Sequence, residues 1–276
     1  MESLAEQLLY TTVRLEGVTP NGVSIGTGFF VMHNQRLFIV TNKHVVAGVT
    51  NGSFVVRKGL IQDNTKTPVL GEGFSIPYLA ANFIGHPSPS VDVTAMNLSE
   101  AVSQMEMNGQ PVYWKNVGPE QRPKAEDLEK FIGPVEEIVF VGYPSGIWDS
   151  KNLSPIVRKG ITATAYYQRF MDEPKFLIDA SVFPGSSGSP VFIYYAGSYP
   201  DKAGNLYAGS RLYFLGIIAQ VFQRTEEGEI KIKAAPTSQV PIAEVPQMID
   251  LGIVFNDSAV FECIDNYVAV ATAGKA

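Results

Sequence analysis

The sequence predicts an all-β chain, a sandwich or a barrel. Two observations carry this expectation. Gly 25 and Pro 18 supply frequent turn residues among 276 positions. Between them run short stretches rich in Val, Ile, Phe and Tyr, with 16 Phe, 12 Tyr and 2 Trp in all. Short β-branched and aromatic runs separated by turn residues suit strands, because such side chains pack well on a pleated surface. A hydrophobic fraction of 45% with 17% charged residues can bury a sizeable core and excludes disorder along the whole chain.

Taken in order, residues 4–9 suit a short amphipathic helix. Residues 11–15 and 24–32 read as strands, and Asn34-Gln35 turns the second into 37–41, a hairpin pattern. Residues 42–46 break the alternation and suit a single helical turn. Residues 54–57, 69–70, 81–84 and 93–98 are further short strands. The segment that follows differs in composition: seven of the twelve residues 119–130 are charged, which reads as a solvated connection with a short helix at 124–130. Beyond it, 137–142, 156–167, 175–179, 191–195, 212–222 and 229–233 continue the β pattern. Residues 236–251 are interrupted by proline, and 256–264 suit a helix capped by Asn256 or Asp257. The expected organisation is one domain of two lobes: about 10–100, a connection at 101–133, a second lobe at about 134–255, and a C-terminal helix and tail at 256–276.

The charge balance is 21 basic against 27 acidic residues, net −6. No basic excess is present to neutralise a phosphate backbone, so nucleic acid is not expected as a partner. One cysteine, Cys263, excludes an internal disulfide and multi-cysteine zinc sites, and fits a reducing compartment. The first ten residues carry Glu2 and Glu6 with no basic stretch, unlike a signal peptide. The uncharged run 180–200 is broken by Pro184 and Pro190 and is no membrane helix. A soluble, cytoplasmic protein with no cofactor, no metal and no membrane partner is expected.

Three segments carry candidate chemistry. His44 follows the apolar run 37–41 where the chain turns, a rigid and reachable place for a general base. Asp92 opens an alternating strand and can hold an imidazole tautomer in place. In residues 183–190 (Phe-Pro-Gly-Ser-Ser-Gly-Ser-Pro), glycines flank a serine in a turn built around a hydroxyl. Gly185 permits backbone that turns N–H groups inward, so the amides of Gly185 and Ser187 can form an oxyanion hole. Each segment alone has an ordinary structural reading: a strand-end histidine, a turn aspartate, a flexible loop. Together, in the order His, Asp, Ser, they point to nucleophilic catalysis. His33 reads as a solvated turn residue and His86 as a loop residue.

At these residues the chain resembles the trypsin-like, chymotrypsin-fold serine peptidases, and within them the HtrA-like branch. Thr41-Asn42-Lys43-His44-Val45-Val46 resembles that branch's Thr-Asn-x-His-Val. Asp92-Val93-Thr94-Ala95 resembles its Asp-Ile-Ala strand, and residues 179–190 resemble its Asp-Ala and Pro-Gly-Asn-Ser-Gly-Gly-Pro segment. The resemblance implies two packed six-stranded antiparallel β-barrels with short N- and C-terminal helices. It implies His44 as general base, Asp92 as the acid that orients it, Ser187 as nucleophile, and the Gly185 and Ser187 amides as oxyanion donors. It also implies a protein or peptide substrate and either a regulatory partner or a homo-oligomer.

Several positions depart from the family pattern. Ser189 replaces the second glycine after the nucleophile, and Ser186 stands where secreted relatives carry the aspartate that pairs with a cleaved N-terminus. Activation by that cleavage is not expected. Ser181 matches the base of the specificity pocket and Val221 a wall position that is often glycine, so cleavage after a small or medium apolar residue is expected rather than after Lys or Arg. Too few residues follow Ala235 for the PDZ domain that HtrA enzymes carry. The alternative is a peptidase-fold binding or regulatory module with a silent site. An α/β-hydrolase is disfavoured because its order is Ser, Asp, His.

Overall fold

The computed structural model describes residues 3–229 and 242–273, and no side chains within 220–249. The N-terminal lobe is an antiparallel sheet of β1 (Thr12–Thr19), β2 (Gly22–His33), β3 (Arg36–Thr41), β4 (Asn51–Gln62), β5 (Thr65–Tyr78), β6 (Ile84–Gly85), β7 (Thr94–Asn97) and β8 (Val112–Tyr113). Its order is β5-β4-β1-β2-β3-β7-β6, with β8 paired to β4. The C-terminal lobe holds β9 (Glu137–Gly142), β10 (Ile156–Thr162), β11 (Lys175–Asp179), β12 (Pro190–Tyr195), the small β13 (Ser198–Pro200) and β14 (Leu206–Ala208), and the long β15 (Arg211–Glu229) and β16 (Ile242–Asn256). Six of these close into a barrel, β10-β11-β16-β15-β12-β9. The chain is therefore all-β in two lobes, one closed at six strands and one an eight-stranded sheet. Among the described residues, no helix is long and apolar enough to cross a membrane.

Local chemistry accounts for most boundaries. Helix α1 (Leu4–Leu8) starts at a capping box in which the Glu6 amide donates to Ser3 Oγ and the Ser3 amide to Glu6 Oε2. The β2–β3 hairpin turns at Asn34 and Gln35, with φ of 49° and 61°, the paired left-handed geometry that matches strand twist. Asp63 and Asn64 turn β4 into β5 in the same way, at φ of 48° and 59°. Two expected strands are shortened: 81–84 is largely a 3₁₀ turn at Ala80–Asn82, and 156–167 ends at Thr162. Of the segment 101–133, helix α3 (Ser99–Met107) and β8 pack on the first lobe through Val102 and Val112, while helix α4 (Ala125–Lys130) lies on the second-lobe side.

Alternation along the strands sorts the side chains into three cores. Phe30, Leu37, Ile39 and Met96 fill the first lobe. Ile138, Phe140, Val191, Ile193 and Leu215 fill the barrel. Their neighbours on the same strands, Phe29, Val31, Phe38, Val40, Ala95, Val139, Val141, Phe192 and Phe214, face the other way into a slab between the lobes. Helix α5 (Asp257–Ala273) covers this slab with Val260, Phe261, Cys263 and Ile264. It runs well past the expected end at 264, because no Gly or Pro follows before residue 274 and Tyr267 and Val268 extend its apolar stripe. Asn256 is its cap, accepting from the Ala259 amide at 3.3 Å.

Candidate active site

The short helix α2 (Lys43–Val46) carries His44 directly off the end of β3. Lys43 fixes the facing loop by donating from Nζ to the carbonyls of His86 (3.0 Å) and Ser88 (2.9 Å). Asn42, fully buried, donates to the Asp92 carbonyl at 2.6 Å. These bonds bring Asp92, two residues before β7, to His44. Its carboxylate accepts from the His44 amide at 3.2 Å and from His44 Nδ1 at 2.5 Å. The imidazole is half exposed at 48% and the carboxylate sheltered at 16%. A carboxylate at Nδ1 selects the Nδ1–H tautomer and leaves the Nε2 lone pair free to take a proton.

Ser187 sits in the turn between β11 and β12. Gly185 and Gly188 hold φ of +87° and +89° there, where L side chains are strained. A Cβ on Gly188 would fall 1.8 Å from the Thr27 carbonyl oxygen, and one on Gly185 would fall 2.5 Å from that of Tyr143. The Ser187 hydroxyl donates to the Ala219 carbonyl at 3.3 Å. That alanine joins Lys43, His44, Ala47, Pro89, Ser90 and Asp92 in lining one open depression. Among the described residues, neither the Gly185 nor the Ser187 amide donates to a protein acceptor, and no hydrogen bond joins Ser187 to His44.

Thr27 is a residue for which the sequence supplied no role. It is fully buried on β2 and ties the first lobe to this turn. Its amide donates to the Ser187 carbonyl at 2.9 Å, and its hydroxyl donates to the Gly185 carbonyl at 3.0 Å. The same hydroxyl accepts from the Tyr143 amide at 3.2 Å. Ser189 is accommodated here: its hydroxyl donates to Thr27 Oγ1 at 3.3 Å, against Gly142, where a Cβ would fall 2.0 Å from it. Ser186 is buried, and its hydroxyl has no partner among the described residues.

The remaining candidates lie as follows. Ser181 is half-buried in the extended run between β11 and the turn. Val221 pairs with Gly252 across β15 and β16, and its side chain lies outside the described residues, as do 230–233 and 236–241. His33 is not a solvated turn residue but the largely buried end of β2, and His86 is a loop residue, as expected, with a buried ring. His33 Nε2 meets Asp265 at 2.8 Å and His86 Nε2 meets Glu262 at 3.3 Å, both on α5. Only the fold could reveal these pairs, since the partners are far apart in sequence. Burial pushes the Cys263 thiol up to about 12, which keeps it a protonated, inert core group.

The family model for the trypsin-like peptidase domain matches residues 26–198, a span that contains His44, Asp92 and Ser187. Among solved structures, the chain is similar to an HtrA-type protease, AlgW, determined with a tripeptide. The identity is 16% and the TM-score 0.47, over 94% of this chain and 60% of that one. A serine endoprotease from Yersinia pestis aligns at 15% identity and a TM-score of 0.44, over 79% of this chain and 56% of that one. Tobacco etch virus protease complexed with product aligns at 14% identity and a TM-score of 0.44, over 80% of this chain and 72% of that one. The chain thus spans about 60% of the length of the AlgW chain it aligns with. No curated protein sequence matches it.

Proposed function

The chain belongs to the trypsin-like peptidase family, and from that premise we propose that it is a serine endopeptidase working through His44, Asp92 and Ser187. The observation that carries this reading is the 2.5 Å contact from His44 Nδ1 to Asp92, in a depression walled by the Ala219 carbonyl that Ser187 Oγ donates to. In the proposed reaction the Ser187 hydroxyl leaves that carbonyl and donates to His44 Nε2. Nε2 then accepts the hydroxyl proton as Oγ attacks the scissile carbonyl carbon. Asp92 holds the ring and stabilises the imidazolium. The oxyanion of the tetrahedral intermediate is received by the free Gly185 and Ser187 amides. Collapse expels the amine, which takes the proton from His44, and water repeats the sequence on the acyl-enzyme.

The uncharged Ser181 and Val221 support cleavage after a small or medium apolar residue. The motifs of residues 41–46 and 179–190 support the HtrA-like branch, with a peptide or protein substrate and a regulatory partner or homo-oligomer. The single buried cysteine supports a cytoplasmic setting. A fluorophosphonate probe tests the mechanism: it labels Ser187 in the native chain and fails to label Ser187→Ala. A folded native chain that takes no label and cleaves no peptide would favour the silent binding module. In a peptide library, dominant cleavage after Lys or Arg would overturn the specificity.

A further inference from the structure

The loop of residues 86–92, between β6 and β7, brings Asp92 to His44 and walls the depression there with Pro89 and Ser90. The His86 amide closes its base, donating to the Val93 carbonyl at 2.9 Å, and the Val91 amide donates to the Ser88 carbonyl at 3.3 Å. Apart from Asp92, His86 is the only titratable side chain in the loop. Its ring is 6% exposed. Nδ1 accepts from the Ser88 amide at 3.0 Å. An amide N–H only donates, so Nδ1 holds a lone pair and the ring proton sits on Nε2. Nε2 lies 3.3 Å from Glu262 Oε2 on α5 and donates to it. The two nitrogens thus have fixed and opposite roles. Among the described residues, the charged groups against the loop are Glu262 from α5, Asp92 at its end, and Lys43 from α2, whose Nζ holds the His86 and Ser88 carbonyls. Cys263 of α5, against the Ile84 and Val93 carbonyls, keeps its proton because burial pushes its thiol up to about 12.

We propose that His86 is a positioning residue for the His44–Asp92 pair, and that it acts only as the neutral ring. The inference rests on the reading of His44, Asp92 and Ser187 as the reacting residues. The neutral ring takes the Ser88 amide while Lys43 takes the Ser88 carbonyl, and the loop so fixed sets Asp92 against His44 Nδ1. A second proton, on His86 Nδ1, would set two donors against each other at Ser88 and leave that amide unpaired in a buried place. The loop then relaxes and Asp92 parts from the imidazole. A proton on His44 itself does the opposite, since an imidazolium donates more strongly to a carboxylate. The two protonations therefore leave different marks on the same contact.

NMR of the full chain, with nitrogen-15 in its three histidines, follows the His44 Nδ1–H proton without any turnover. In the native chain this hydrogen-bonded signal is expected at neutral pH and is lost in acid as the His86 nitrogens report their second proton. His86→Asn should keep the signal in acid: its carboxamide oxygen accepts from the amide two residues on, as an Asx turn, and does not titrate. That variant gives up only the contact to Glu262, which is 61% exposed and worth little. His86→Leu should lose the signal at neutral pH and lower kcat/KM by about tenfold to a hundredfold. His86→Asn should lower kcat/KM by less than about threefold and make its acid limb shallower. Four results would each overturn the proposal: no His44 signal in the native chain at neutral pH, a signal that persists after His86 takes its second proton, a His86 ring that stays neutral until the chain unfolds, or the same acid loss in His86→Asn. If His86→Leu does not fold, the native chain and His86→Asn decide the matter. A chain that takes no fluorophosphonate label and cleaves no peptide overturns the peptidase reading alone, while the His44 signal still tests the hold of His86 on the pair.

Discussion

The two halves of the site are fixed by different means. His44 and Asp92 come from one lobe and are held by side chains: Asn42 on the Asp92 carbonyl, Lys43 on the facing loop, Asp92 on the imidazole. The Ser187 half is mostly backbone. Its turn is shaped by two glycines at positive φ and pinned from the other lobe by Thr27. The difference teaches where each half is vulnerable. A side-chain cluster fails when a functional group is removed. A backbone turn fails when its shape changes, and here that shape is held across the lobe boundary by the Thr27 amide and hydroxyl together.

Substitutions at increasing distance from the reacting atoms probe this contrast. The largest loss is expected for Ser187→Ala, about a millionfold in kcat on a peptide or ester substrate, with an unchanged circular dichroism spectrum. Asp92→Asn should cost about ten-thousandfold, because the amide selects the wrong imidazole tautomer. Thr27→Val removes the hydroxyl under Gly185, and a fall in kcat of about tenfold to a hundredfold with little change in KM is expected. Thr27→Ser should restore most of it, and an unaltered kcat in Thr27→Val would break the contrast between the halves. Ser189→Gly restores the residue usual in the family and should shift kcat by less than about threefold, with about 1 kcal/mol lost in a urea melt from one buried hydrogen bond.

The smallest expected effect is on alkaline stability. Cys263 Sγ lies 3.5 Å from the Val93 carbonyl, beside the Asp92 half. Burial raises its thiol from 9.0 to about 12, and raises Tyr78 from 10.0 to about 12. The unfolded chain therefore loses these protons first, and stability falls as pH rises from about 9 to 12. Cys263→Ala should flatten the first part of that decline in urea midpoints measured against pH. An unchanged slope would show that the thiol is not the group responsible.

The positions that became legible from sequence are those whose chemistry is local. The Asn34-Gln35 turn, the strands 137–142 and 175–179, and the glycine-flanked serine all announce themselves within a few residues. The lengths of β4 and β5 did not, since both strands carry many exposed polar positions and break the alternation. Thr27 shows no task in the sequence, because its hydroxyl's partners lie 116 to 162 positions away. The α5 carboxylates that hold His33 and His86 were hidden for the same reason.

Helix α5 has a consequence for the order in which the fold is completed. Its Asn266 side chain donates to the Gly85 carbonyl, 181 positions earlier, and Cys263 reaches back to Ile84 and Val93. Contacts of such sequence separation form late, because a long loop must close before they return any stabilisation. The strand beside Asp92 is therefore buttressed only after the second barrel has formed and the helix has docked. In the proposed peptidase, the Asp92 half of the site is thus completed by the part of the described fold whose contacts close the longest loops.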